Sequence, residues 1–97
     1  MSSSKQFKDY VLEQLKKLNN ITCRPMMGEF LLYLNGTLFG GIYDDRLLIK
    51  ITDSNKSYNL STTLPYPKAK TMFLVENLED ADYLNKLITT TCQDLNK

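Results

Sequence analysis

The side chains able to do chemistry are few and scattered. There is no histidine in the 97 residues, which removes the commonest general base, the commonest metal ligand and every Ser–His or Cys–His nucleophile pair. Two cysteines, Cys23 and Cys92, stand far apart with no Cys-x-x-Cys partner, too few for a four-thiolate zinc site. Arg24 follows Cys23 and a neighbouring cation favours a thiolate. With no base to complete a nucleophile, an inert, half-buried thiol is expected. Asp44 and Asp45, with Asp53 beyond them, lack the spacing of an EF-hand loop and read as turn residues. Gly36, Gly40 and Gly41 match neither a phosphate loop nor a dinucleotide fingerprint. The expectation is a non-enzymatic chain with no metal and no cofactor.

Two groups of cations remain. Lys68 and Lys70, with Lys50 and the rings of Tyr58 and Tyr66, interleave basic and aromatic residues as single-stranded nucleic acid requires. The signal is weak, because twelve basic and eleven acidic residues leave a net charge of +1. Arg24 lies beside Met26 and Met27 in an apolar stretch. It is expected to pair with Asp44, Asp45 or Glu29 and tie its loop to the sheet. Otherwise Arg24 and Lys50 are candidate anion contacts.

Those residues are positioned by the stretch 29–51, EFLLYLNGTLFGGIYDDRLLIKI. It reads as three strands joined by two tight turns. Asn35-Gly36 suits a two-residue type I′ hairpin, which needs positive φ at both central positions. That places Leu34 opposite Thr37, Tyr33 opposite Leu38 and Leu31 opposite Gly40. A second turn at Asp44-Asp45 places Ile42 opposite Leu47 and Gly40 opposite Ile49. Side chains alternate across strands. Leu31, Tyr33, Leu38, Ile42, Leu47, Ile49 and Ile51 therefore form an expected core face. The other face carries Phe30, Leu32, Leu34, Phe39, Tyr43 and Leu48, too apolar to meet water in an antiparallel sheet. It must be covered by a helix of this chain, a second copy, or a partner. Those six residues are the candidate interaction surface.

Phe7, Tyr10, Val11, Gln14, Leu15 and Leu18 recur at helical spacing and predict an amphipathic helix over 4–18, with Ser3 and Gln6 as a capping box. Residues 21–28 read as a connector in which Pro25 keeps Arg24 out of the helical region. Thr52 or Asp53 could start one short helical turn. A fourth main strand is expected over 71–76, with Phe73 and Val75 on one side, and an edge strand over 64–66. Asn77 is the expected cap of a last helix striped by Ala81, Leu84, Leu87, Ile88, Cys92 and Leu95. Length implies one domain. No apolar run approaches the roughly 20 residues of a membrane helix, and the first ten residues lack the apolar segment of a secretory signal. Free thiols and a cytoplasmic location are expected.

Arg24-x-Met26-x-Gly28, Tyr33 before Asn35-Gly36, Phe39, Asp44-Asp45, Leu47 and Lys50 resemble the N-terminal domain of the TfoX (Sxy) competence-regulator family. The opening FKDYVLEQL and the Pro-Tyr-Pro-Lys stretch also fit, so the resemblance covers nearly the whole chain. Met27 and Glu29 depart from it, where the family usually has an aromatic residue and a glycine, and the C-terminal domain of full-length regulators is missing. The resemblance implies a stand-alone α+β domain: an antiparallel meander packed with an N-terminal and a C-terminal helix, similar to secretion-chaperone-like domains. It implies a regulatory role in competence with no catalytic residues to carry over, and a homodimer by fold-level analogy. The expected partner is a protein or a second copy, with nucleic acid as the alternative and no membrane.

Overall fold

Backbone conformations that only a few residue types tolerate set the turns of this chain. In the computed structural model, which describes residues 3–96, Asn35 and Gly36 have φ of 51° and 81°. They join β2 (Glu29–Leu34) to β3 (Thr37–Ile42). Asp44 and Asp45, at 53° and 55°, turn β3 into β4 (Leu47–Ile49) without a glycine. Hydrogen bonds offset the strain of that second turn. The Asp44 amide donates to both Glu29 carboxylate oxygens at 3.1 Å, and the Asp45 amide donates to Ser3 Oγ at 3.1 Å. Ser3 Oγ donates to Glu29 at 2.6 Å, and the Ser4 amide donates to Asp45 at 2.7 Å.

Residues 21–26 are not a connector but β1 (Ile21–Met26), paired antiparallel with β2. A third positive-φ turn, Met27 at 52° and Gly28 at 87°, closes that hairpin. Pro25 is tolerated because β1 is an edge strand. The edge strand expected at 64–66 lies slightly earlier, as β5 (Ser61–Thr63), beside β6 (Met72–Val75). The six strands lie in the order β1-β2-β3-β4-β6-β5, and every pair is antiparallel.

Two helices complete the architecture. The first, α1 (Lys5–Gln14), is capped by Ser4, whose Oγ accepts from the Phe7 amide at 3.1 Å. Ser3 is thus one residue too early for the cap and instead binds Glu29. The helix stops at Gln14, short of Leu18. At the other end α2 (Ala81–Leu95) is capped by Asp80, not Asn77, with Asp80 accepting from the Tyr83 amide at 3.1 Å.

Both helices pack on one face of the sheet. Val11 and Leu15 of α1 and Leu84, Leu87, Ile88 and Cys92 of α2 form one buried cluster with Leu32, Leu34, Phe39, Ile42, Leu47, Ile49, Phe73 and Val75. The face expected to be the core is therefore right for Ile42, Leu47 and Ile49 and wrong for Leu31, Tyr33 and Leu38, while Ile51, beyond the end of β4, is exposed. A bulge explains the split. Leu34 pairs with Thr37 and Tyr33 with Leu38, as the turn requires. The register then slips, so that Leu32 meets Gly40 and Leu31 meets Gly41. An extra residue on one strand reverses which side chains face which way beyond it.

Candidate functional site

The bulge divides the six residues of the expected interaction surface. Leu32 and Phe39 are fully buried, Leu34 nearly so, and Phe30 packs against the same cluster. These four belong to the chain's own core beneath the helices. That is a correction: their apolar character is satisfied inside the protein. The Phe30 ring also lies 5.3 Å from the Lys8 ammonium on α1. Tyr43 and Leu48 are buried too but lie outside that cluster, on the face without helices. Leu48 pairs with Gly41 on one side and Leu74 on the other.

Over β3, β4 and β6, that second face is roofed by the segment 64–71. Pro65 is buried and the Tyr66 ring lies 6.3 Å from that of Tyr43. Between roof and sheet runs a cleft of about 440 Å³. Leu38 and Met72 line it together with Tyr43 and Tyr66, and Lys50 and Lys70 stand in its wall. None of its lining residues is acidic. Neither lysine has an ion-pair partner among the described residues. Burial, then the neighbouring Tyr66, Glu29 and Tyr33, push the Tyr43 hydroxyl above its ordinary range, so it stays a neutral donor.

Three sequence candidates, Lys50, Lys70 and Tyr66, thus meet in one place. Lys68 does not join them. It is exposed, with φ of 71°, and does not line the cleft. Lys50 is the best fixed of the group. Its amide donates to the Phe39 carbonyl at 2.8 Å, and its carbonyl accepts from Asn55 Nδ2 at 2.9 Å.

Arg24 does not pair with Glu29, Asp44 or Asp45. The Glu29 and Asp45 carboxylates are committed to the amides and hydroxyl described above, and Arg24 is exposed on β1 with no ion pair among the described residues. Arg46 ties the sheet instead. Its guanidinium donates to the Tyr43 carbonyl at 3.2 Å, to Thr63 Oγ1 at 3.0 Å and to the Leu64 carbonyl at 3.4 Å, lashing the β3–β4 turn to the far edge. Sequence reading missed this role because Arg46 faces partners 17 and 18 residues away. It also missed buried Asn55, although Thr52-x-x-Asn55 has the spacing of a reciprocal cap.

Both cysteines are free thiols. Cys23 points toward α1, and burial raises its pKa, with Lys8 pulling back and Asp9 adding to the rise. Burial pushes the Cys92 thiol from 9.0 up to about 11. A thiol that ionises later in the folded chain stabilises the fold fully below pH 9, and loses that contribution as pH rises toward 11. At neutral pH a thiol-reactive probe is expected to label Cys92 only as fast as the chain unfolds, and Cys23 more slowly than a free model thiol. Rapid labelling of Cys92 by folded protein would contradict its burial. No group of three or more His, Cys, Asp or Glu side chains is placed to hold a metal among the described residues. No helix among them is long and apolar enough to cross a membrane.

The chain is 26% identical over 98 residues to an uncharacterised 12.7 kDa protein in the trpE 5′ region of Spirochaeta aurantia, with 98% of this chain and 85% of that relative covered. A family model, that of the TfoX N-terminal domain, matches residues 13–84, from the last two residues of α1 through all six strands into α2. With most of its length under that match and the expected sheet and two helices in place, the chain belongs to the TfoX N-terminal domain family.

Proposed function

We propose that this is a non-enzymatic, cytoplasmic interaction domain of a regulatory kind, and that it acts by associating with a second copy of itself. One observation carries the reading. Over β1, β2 and the start of β3 the second sheet face holds no helix, yet Leu31, Tyr33 and Leu38 stand there half-buried beside exposed Thr22 and Arg24. An apolar centre with a polar rim is the usual anatomy of a contact patch. A two-fold interface needs only one such patch per chain.

Sedimentation equilibrium tests it. Wild-type protein is expected to run as a dimer, and Leu31→Glu as a monomer with its thermal midpoint nearly unchanged. A wild-type monomer at high protein concentration would defeat the self-association. Capture of a different protein by the same face, lost in Leu31→Glu, would transfer the surface to a foreign partner.

A second reading, direct nucleic-acid binding in competence or transcription control, draws on Lys50, Lys70 and Tyr66 sharing one cleft. The net charge of +1 weighs against it. It requires an affinity for DNA that falls as salt rises.

A further inference from the structure

We infer that the cleft beneath the 64–71 segment is a binding site for a small organic carboxylate with an apolar body. The argument begins with size. At about 440 Å³ the cleft lies within the roughly 300–1,000 Å³ of small-molecule sites.

Its chemistry is divided in a way that selects a ligand. Leu38 and Met72 offer aliphatic surface, and the rings of Tyr43 and Tyr66, inclined at 52°, make an aromatic wall. An apolar body buried there leaves water without loss of hydrogen bonds. Lys50 and Lys70 are the only charges on the lining, both positive and both without a carboxylate partner among the described residues. A cation beside a partly dry wall is best satisfied by an anion, and a charge-assisted hydrogen bond is stronger than a neutral one. Tyr43 keeps its hydroxyl proton and adds a neutral donor. A neutral apolar ligand would leave the lysines unused, and a bare inorganic anion would leave the aromatic wall unused.

Lys50 is held for this work. Its backbone is clamped between the Phe39 carbonyl at the bulge and the buried Asn55 amide, so its side chain leaves the sheet from a fixed point. The irregularity at Phe39 and Gly40 serves the site as well as the core. It leaves Leu38 on the cleft side while Phe39 enters the core.

Leu38 borders both the cleft and the self-association patch, so the readout that separates the two comes from cleft residues outside that patch. The experiment is an NMR titration of the intact chain with 4-phenylbutanoate, 4-phenylbutanamide, inorganic phosphate and a short single-stranded oligonucleotide. The carboxylate is expected to shift the amides of Ala69, Thr71 and Met72. The amide analogue should bind about tenfold more weakly, the order expected for one lost charge-assisted hydrogen bond. Lys50→Met with Lys70→Met should bring the carboxylate down to the level of its amide. Lys70→Met alone, at an exposed position, provides the test if the double variant melts early. Equal binding of acid and amide, or no effect of removing the lysines, overturns the assignment. So does phosphate binding as well as the carboxylate, or an oligonucleotide binding more tightly with a steep salt dependence. No shift at any of these residues overturns it outright.

Discussion

Gly40→Ala is expected to collapse the stability of this domain, although it adds one methyl group. A Cβ at position 40 would lie well inside contact distance of the Leu48 carbonyl oxygen and 2.9 Å from the Ile49 Cα. Both are backbone atoms of β4, and no rotamer change can move them. Nor can β4 back away, because its other edge is paired with β6 through Leu47, Leu48 and Ile49. The clash must be relieved by parting two strands at the middle of the sheet, next to the fully buried Leu32 and Phe39. Overpacking at such a site costs about 3 kcal/mol or more, which for a domain of this size lowers the thermal midpoint by roughly 12–24 °C. Gly36→Ala is the control. Nothing lies within 4 Å of its Cβ, but its φ is 81°. It should cost about 1–2 kcal/mol through left-handed backbone strain alone. Thermal melts of the two variants separate the mechanisms. A Gly40→Ala protein melting within a few degrees of wild type would refute the close approach of β3 and β4.

Much of this arrangement was legible in the residues, and the part that was not has a physical cause. Asn35-Gly36 announced its turn, and even Asp44-Asp45, lacking glycine, turned as expected, with φ of 53° and 55°. Alternation then sorted the strands correctly beyond the bulge, where Ile42, Leu47 and Ile49 reach the core. It failed before the bulge, because a two-residue period carries no record of an inserted residue. The Phe39-Gly40-Gly41 stretch was the available clue: two glycines inside an apolar strand mark a bulge or a close approach. The first strand escaped notice because Pro25 and Arg24 read as loop, whereas at a sheet edge a missing amide costs nothing. The caps slipped by one and three residues because Ser3 and Ser4, or Asn77 and Asp80, are chemically equivalent as caps. Tertiary contacts, such as Ser3 with Glu29, decide which is used.

The candidate site was legible only as scattered members. Lys50, Lys70 and Tyr66 could be named as basic and aromatic, but Leu38, Pro65 and Met72 could not be joined to them. The cleft exists because an irregular segment folds back over the sheet, and no periodicity encodes where such a segment lies. Two of the carboxylates that Arg24 was expected to satisfy, those of Glu29 and Asp45, were taken by amides of the chain itself, which charge counting does not see. The six-residue apolar set was real as chemistry and misassigned as surface, since four of its members serve the core.

Asn55 is the other position where a small change should have a large effect. Its side chain is fully buried and makes three hydrogen bonds. Oδ1 accepts from the Thr52 amide at 2.8 Å. Nδ2 donates to the Lys50 carbonyl at 2.9 Å and to Thr91 Oγ1 at 2.8 Å, and Thr91 passes its own proton to the Leu87 carbonyl at 2.9 Å. The residue therefore fastens the loop after β4 to α2. Asn55→Ala strands a buried donor and two buried acceptors, at about 1–3 kcal/mol each before relaxation. A net loss of roughly 3–5 kcal/mol is expected, a large share of a small domain's stability. Asn55→Asp is the sharper test. It preserves volume but turns a lone pair toward the Lys50 carbonyl and toward Thr91, whose hydroxyl proton is already committed. Protonating that carboxyl restores a donor, so burial and the facing acceptors must raise its pKa in the folded chain. The sign follows from linkage: the variant's deficit relative to wild type should be smallest below the ordinary aspartate range and widen as pH rises through the raised value. Paired urea titrations across the acid range would show it. A deficit that stays flat with pH would mean that water reaches position 55 and that the buried clamp between loop and helix does not exist.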